Sequence, residues 1–348
     1  MTGPTLRFAL FTLLAACGTD GKTTTIDPLV DAPEQPPPAT RSAIEVCIAG
    51  GGALAQAWAT GNQHGAVTSI VVTGTTVVLG SEDGSVKQWK VASSPSYGTS
   101  FDTGETGRPV SNALAVSADG AVIGADASGA VSEWRLSDAK PMKTTPVIAA
   151  PLVAVAVDGG QVATGAGTDL RVVDRASGAA SPKLETTLWD LHALSFGFGG
   201  ALFTAGHNYG TPQIERRDAA APVAVVDRWS DLTKEGHVRA FAVSADGTRV
   251  FAGGDGFVAV LDARNLAAGP LAFTPAAGHT AVGVVALSGT ELFATAGSEG
   301  TVQLWNAVTG VHVTTASVAA PIGLGVDAPG EQLYTAGSDG QLRAISCR

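Results

Sequence analysis

The chain repeats itself, and that repeat limits its possible folds more than any other feature. A short turn ending in glycine, followed five residues later by a bulky apolar side chain, occurs at five places. These are Gly84 (then Trp89), Gly129 (then Trp134), Gly256 (then Leu261), Gly300 (then Trp305) and Gly340 (then Ile345). Two weaker copies, near Thr168 (then Val173) and near Gly210, fill the gap in the middle, so that successive anchors lie 39 to 46 residues apart. The run before each anchor alternates apolar and small residues, as in Ala113-Leu114-Ala115-Val116 and Ala240-Phe241-Ala242-Val243, and turns such as Asp119-Gly120 and Asp246-Gly247 follow. Alternation with period two makes half-buried strands, and Asp-Gly is a hairpin signal. Units of roughly 40–45 residues made of four short strands stack radially as propeller blades. The spacing therefore predicts an all-β chain in which residues 43–348 form a seven-bladed β-propeller of four-stranded blades, with six or eight blades as alternatives. Composition agrees: 15% charged and 45% hydrophobic residues are too few charges for coiled coils and too much apolar matter for disorder.

The units resemble WD40 repeats. Gly278-His279, a run of strands, a tight acidic turn at Glu299-Gly300 and Leu304-Trp305-Asn306 follow that family's order; Gly236-His237 opens another copy, and Ser-Ala-Asp-Gly stands where the family often has Ser-Pro-Asp-Gly. The closing dipeptide is never Trp-Asp; it is Trp89-Lys90, Trp134-Arg135 or Trp305-Asn306. The third and fourth units depart furthest, lacking Gly-His and carrying Arg216-Arg217-Asp218 where an apolar strand residue belongs. The resemblance implies a hydrogen-bonded chain inside the sixth unit, formed by His279, Thr295, Glu299 and Trp305. It makes His237, Trp89 and Trp134 structural blade residues in the same way. It also implies ring closure in which the N-terminal strand completes the last blade. Ile44-Glu45-Val46-Cys47-Ile48 is then the closing strand segment, and Cys47 becomes a neighbour of the penultimate residue, Cys347. A Cys47–Cys347 disulfide follows from that closure, in a chain whose only other cysteine is Cys17.

Cys17 belongs to a different signal. Residues 1–16 place Arg7 before an apolar stretch from Phe8 to Ala16, as a secretory signal does, and Leu14-Ala15-Ala16-Cys17 resembles the bacterial lipoprotein lipobox. The resemblance implies cleavage before Cys17, lipidation of that cysteine and a place in the bacterial cell envelope. Gly18 in the following position favours the outer membrane, on its periplasmic or surface side. Residues 17–42 are rich in Thr, Pro, Asp and Gly, with Pro36-Pro37-Pro38 near the end, and read as a tether. The longest later apolar stretch, Pro146 to Val157, is shorter than the ~18 residues a spanning helix requires.

The chemistry of the chain is spare. A formal net charge of −10 offers no basic field for phosphates, which excludes nucleic acid as the expected partner. There is no Gly-x-Ser-x-Gly, His-Glu-x-x-His, paired Cys-x-x-Cys or phosphate-binding loop motif. His64, His237 and His279 fall just before a unit's first strand, where the repeat accounts for them. His192 and His207 lie outside that register, and their spacing is not that of a metal-ligand set. The acidic turns at Glu82-Asp83, Asp255, Glu299 and Asp339 lack calcium-loop spacing. No catalytic residue, cofactor or metal is expected. Trp189, Arg228 and Trp229 lie between strands around the irregular fourth unit and form the candidate partner surface, since exposed Trp and Arg anchor interfaces. The expected function is a lipid-anchored, non-catalytic protein-interaction scaffold. The alternatives are a small ligand, metal or reaction in the central channel, or a role assisting outer-membrane assembly.

Overall fold

The computed structural model describes residues 42–60, 65–91, 95–101, 111–218, 224–327 and 332–348. The chain divides into two units, Met1–Ala39 and Thr40–Arg348, and the first lies outside the described residues, as do the signal segment, Cys17 and nearly all of the expected tether. The second begins with α1 (Ala43–Ala49) and β1 (Leu54–Ala59). β2 (Val67–Thr73), β3 (Thr76–Ser81), β4 (Val86–Val91) and β5 (Pro95–Ser100) form one antiparallel sheet. β6 (Ser111–Val116), β7 (Ala121–Asp126), β8 (Ala130–Arg135) and β9 (Pro141–Pro146) form the next, followed by a three-stranded sheet of β10 (Ala154–Asp158), β11 (Gln161–Ala166) and β12 (Asp169–Asp174). Then come β13 (Asp190–Phe196), β14 (Leu202–Asn208), β15 (Thr211–Arg217) and β16 (Asp227–Ser230). A six-stranded sheet joins β17 (Val238–Val243), β18 (Arg249–Asp262), β19 (Pro270–Ala286), β20 (Leu292–Gly297), β21 (Thr301–Asn306) and β22 (His312–Ser317). Finally β23 (Pro321–Val326), β24 (Leu333–Gly337) and β25 (Leu342–Cys347) take β1 as their fourth strand.

This is an all-β propeller. Inner strands meet one another in chain order, β2 on β6, β6 on β10, then β13, β17, β19 and β23, which returns to β2 and closes the ring. Among the described residues the hydrogen-bonded sheets number six, not the seven expected. The fifth and sixth sequence units share one sheet because β19 is a continuous strand of 17 residues. Its first part pairs with β18 (Phe257 opposite Pro275, Leu261 opposite Pro270) and its last part with β20 (Ala281 opposite Gly297). The expectation of four strands throughout also fails in the third unit. There the outer position is held by two isolated bridges, Val173 to Ala180 and Leu170 to Leu184. Pro182 lies between them and has no N–H to give to a ladder.

The physical basis of the repeat is now visible. The anchors Gly84, Gly129, Gly210, Gly256, Gly300 and Gly340 have φ between 73° and 94°, a conformation that costs an L side chain but not glycine. Each turn reverses the chain between a unit's second and third strands. The second strands β3, β7 and β20 are buried along their whole length, because both faces of each sheet are covered by neighbours. Phe251 of β18 stacks on Phe293 of β20 at 4.7 Å, and Trp305 lies against Phe293 at 6.4 Å. Apolar side chains thus fill the space between the fifth and sixth units.

Closure differs from expectation in one element. Residues 43–49 are a helix, not a strand, although Ile44, Val46 and Ile48 favour strands locally. Ser42-Ala43-Ile44-Glu45 is a capping-box sequence, and Ser42 Oγ accepts the Glu45 N–H at 3.2 Å. Ser42 itself is buried, so the tether ends before it. The closing strand lies further on: β1 pairs with β25, Leu54 opposite Cys347 and Ala59 opposite Arg343. Helix α1 plugs Ile44 into the core beside Leu333 and Ile345, and Cys47 is bonded to Cys347, with Cα atoms 5.9 Å apart. Gly52 passes so close to both sulfurs that a Cβ there would collide with them. No described helix is long and apolar enough to cross a membrane.

Candidate functional site

The sixth unit holds the side chains that its sequence singled out. Thr295 on β20 is fully buried; its Oγ1 accepts the Trp305 Nε1–H at 2.9 Å and lies 2.9 Å from His279 Nε2. His279 Nδ1 is 2.5 Å from Glu299 Oε1, and Glu299 also accepts the Thr280 N–H at 3.2 Å and a bond from Thr301. Burial pushes the Glu299 carboxyl up, but the bonds from Thr301 and His279 outweigh it and hold the carboxyl below its ordinary range. The longer Glu side chain therefore spans the gap. Trp89 and Trp134 are buried in their own sheets. The chain of bonds ties the turn carrying Glu299 to β19, β20 and β21.

The last unit uses a different pair. Arg343, almost wholly buried on β25, donates to Asp339 in the preceding turn at 3.1 Å through Nη1 and again through Nη2. These bonds hold the Asp339 carboxyl below its ordinary 3.8. A depressed folded pKa contributes stability that is complete above the unfolded value and is lost as pH falls through the folded one. The urea midpoint is therefore expected to be insensitive to this pair from pH 7 to 5 and to drop below about pH 4. In Asp339→Asn the drop below pH 4 should be shallower; an acid limb identical to wild type would contradict this role.

The fourth unit replaces the usual closing tryptophan with charge. By ladder position Arg217 stands opposite Leu202 as Trp305 stands opposite Phe293. Arg217 is fully buried, and its Nη2 donates to Glu215 Oε2 at 3.0 Å and to the Glu185 carbonyl. Glu215, also fully buried, accepts from Thr186 Oγ1 (2.8 Å), from the N–H and Oγ1 of Thr187 (2.8 and 2.7 Å), from Gln213 Nε2 (3.1 Å) and from Thr204 Oγ1 (3.3 Å).

Of the candidate surface residues, Trp189 is 57% exposed, but Trp229 is only 4% exposed. Trp229 pairs opposite Ile214 on edge strand β16 and packs edge-on to Phe257 at 6.3 Å, because alternation along β16 turns Arg228 outward and Trp229 inward. Arg228 is exposed and donates to Thr187 Oγ1 at 3.2 Å. Trp229 therefore leaves the surface set. An aromatic residue not singled out in the sequence joins it: Tyr209, 79% exposed, lies 4.8 Å from Trp189 between ring centroids. Tyr209-Gly210 is a two-residue hairpin turn with φ of 48° and 79°, a conformation that projects the Tyr209 ring outward. The Gly236 N–H donates to the Gly210 carbonyl at 2.8 Å and ties the segment carrying Leu232, 85% exposed, to the same turn.

Behind this rim lie three histidines. His192 occupies a bulge of β13, between paired Leu191 and Ala193; His207 lies on β14 opposite Asp190; His237 immediately precedes β17. Ring centroids are 4.0 Å apart for His207 and His237, 5.2 Å for His192 and His237, and 5.9 Å for His192 and His207. His237 was expected to match His279, but the ladders place it one residue nearer its strand. His237 precedes Val238, which faces Gly254, whereas Thr280 precedes Ala281, which faces Gly297. A slip of one residue turns a side chain to the other side, so His237 faces the fourth unit instead of its own strands. His64 lies outside the described residues.

Arg239, at the equivalent bulge of β17, donates to Asp255 at 3.0 and 3.3 Å, and Asp255 accepts the His237 N–H at 3.1 Å. His192 and Arg239 mark one mouth of the central channel, a space of about 270 Å³. Its wall is built from Ile70, Leu114, Val155, Leu194, Phe241, Val284 and Leu324 and their small neighbours. Among the described residues that line it, none is a carboxylate.

Residues 58–90 and 230–262 match the family described as WD domain, G-beta repeat. Two stretches of the chain thus match the WD40 repeat. The two matched WD40 units are those that close at Trp89 and at Leu261-Asp262, and the second includes His237 and Arg239. The WD40 repeats of RRP9 form a similar solved structure, 17% identical with a TM-score of 0.72, covering 85% of this chain and 99% of that one. The structure of U3-55K is 16% identical with a TM-score of 0.71, covering 82% and 97%. A chain of the mitotic checkpoint complex is 13% identical with a TM-score of 0.73, covering 93% and 98%. At such identities the likeness establishes the WD40 propeller fold. No curated protein matches the chain.

Proposed function

We propose that this chain is a non-catalytic scaffold, anchored by a lipid on Cys17 in the bacterial cell envelope, that docks a protein partner on the rim of its fourth and fifth units. The observation carrying the docking proposal is the exposed Trp189–Tyr209 pair, held by a tight turn on a closed ring, with Leu232 tied to the same turn. Rigid aromatic side chains flanked by polar groups are the usual anchors of protein interfaces. Similarity to a chain of the mitotic checkpoint complex, itself a protein assembly, supports the scaffold class. Anchoring rests on Leu14-Ala15-Ala16-Cys17, and the outer membrane is favoured by Gly18. Acyl chains contribute about 0.8 kcal/mol per buried CH₂, so two or three on one cysteine hold a protein firmly at a bilayer.

We propose that the ring holds seven repeat units, two of which share one of its six sheets. What supports this is that β18 and β19 each occupy two positions, β18 turning at Gly256 (φ 78°) and β19 running from the outer place of one unit to the inner place of the next. The residues lining the channel fall on or directly beside seven strands, β2, β6, β10, β13, β17, β19 and β23.

The test has two parts. The mature protein is expected to carry lipid mass at Cys17 and to sediment with membranes, while Cys17→Ala becomes soluble; an unlipidated mature wild-type protein would remove the anchor. With the partner cross-linked and identified from intact cells, Trp189→Ala is expected to weaken its binding by about 30-fold, the scale of an interface hot spot. The melting temperature should barely move, since the ring is already in water. Unchanged affinity in Trp189→Ala would remove the docking rim.

A further inference from the structure

We propose that His192, His207 and His237 form a binding site for one divalent transition-metal ion of the zinc class, bridging the fourth and fifth units. One ligand nitrogen from each ring lies within 4.8 Å of the other two. They come from three separate places in the fold, a bulge on β13, the end of β14 and the entry to β17, so no local repeat or helical periodicity brings them together. Tetrahedral zinc with N ligands at about 2.0 Å has ligand–ligand edges of roughly 3.3 Å, so the rings must draw inward by rotation to close on an ion. Two ring nitrogens are available for that movement: His192 Nε2 and His237 Nδ1 are buried without a hydrogen-bond partner among the described residues. A buried polar atom left in that state is costly, and a metal bond would remove the cost.

His207 Nδ1 accepts the Gly210 N–H at 3.1 Å, and loading either exchanges that bond for the metal or turns the ring over. Burial, more than the nearby charges, pushes the His192 and His237 imidazoles below their ordinary range. The Asp255 carboxylate lies 3.7 Å from His237 Nδ1, close enough to orient the ring and to offset the cation beside Arg239. Three imidazoles without thiolate or a carboxylate ligand suit zinc, copper(II) or nickel(II), and discriminate against calcium and magnesium, which take oxygen. A fourth position is left to water or an incoming group. A bound ion would cross-brace β13 and β14 to the start of β17.

The probe is zinc chloride, titrated calorimetrically into the mature protein, which must carry no polyhistidine tag and must first be stripped with chelator. One zinc per chain at micromolar or tighter affinity is expected, with no heat from magnesium. His192→Gln, His207→Gln and His237→Gln are each expected to weaken binding at least about tenfold, whereas His312→Gln, at an exposed position on β22, leaves it unchanged. X-ray absorption on the zinc-loaded wild-type protein, which needs no variant to fold, is expected to show imidazole nitrogens at about 2.0 Å. Absence of stoichiometric binding, binding indifferent to His207→Gln and His237→Gln, or an oxygen-only coordination shell would overturn the site.

Discussion

Replacing Cys47 and Cys347 together with serine is expected to cost about 3–5 kcal/mol of unfolding free energy, read as a large fall in the denaturant midpoint. The bond joins residues 300 apart, so it closes nearly the whole propeller into one loop. Chain-entropy bookkeeping gives about 4.7 kcal/mol for a loop of 100 residues and somewhat more for this one, with measured values commonly lower. The effect has a local part as well. Cys47 lies on α1, whose Ile44 is buried in the core beside β24 and β25, and β1 is the edge strand that seals the last sheet. Without the bond, helix and strand are held by packing, by the Leu54-to-Ala59 ladder and by the hydrogen bonds that extend it between Ala53 and Arg348 and between Thr60 and Leu342. Reduction of the wild-type protein should reproduce the double variant, and the oxidised protein should yield neither of these two thiols to a thiol reagent under denaturing conditions. Equal midpoints for oxidised and reduced protein would show that closure depends on the ladder alone.

The second large effect is expected at Glu215. Glu215→Ala strands the buried Arg217 guanidinium with one charged partner fewer, and loss of one member of a buried pair typically costs about 3–5 kcal/mol. The penalty is mostly that of the orphaned charge, so it should shrink when both partners go. Glu215→Leu combined with Arg217→Met is expected to lie well above Glu215→Ala in stability, and the cycle of single and double variants should show strong coupling. Burial also pushes the Arg217 guanidinium below its ordinary range, partly offset by Glu215, which is the same penalty seen from the other side. Additive single effects would mean that the pair is not a unit. The substitution also bears on the proposed docking rim, because Glu215 accepts from Thr186 and Thr187, in the segment that leads into Trp189.

Much of this was legible in the residues. The period was readable because each unit requires a residue at positive φ at one turn, and glycine marks it. The pairing of Cys47 with Cys347 and the grouping of His279, Thr295, Glu299 and Trp305 followed from the resemblance to WD40 units. Other features depended on contacts that sequence does not display. Residues 43–49 were β-branched enough to read as a strand, while the capping box Ser42-x-x-Glu45 carried the correct signal. Trp229 reads as a surface residue until alternation along β16 is fixed by its pairing with Ile214. His237 looks equivalent to His279 because both follow glycine; only the ladder reveals the one-residue offset that aims it at His192 and His207. The clustering of three of the six histidines between residues 192 and 237 was the available hint.

The docking rim is tested most directly by photocross-linking in intact cells, with the cross-linker placed at Trp189 in one protein and at Phe198 in another. Both residues are exposed, at 57% and 74%, and they lie beyond opposite ends of β13, a strand about 20 Å long. They therefore sample opposite faces of the ring at one unit. The expected result is a discrete, near-stoichiometric adduct with an envelope protein from position 189, absent from position 198 and lost when Cys17→Ala removes the proposed anchor. Adducts of equal yield from both faces, or a discrete partner captured from position 198 alone, would contradict the docking rim.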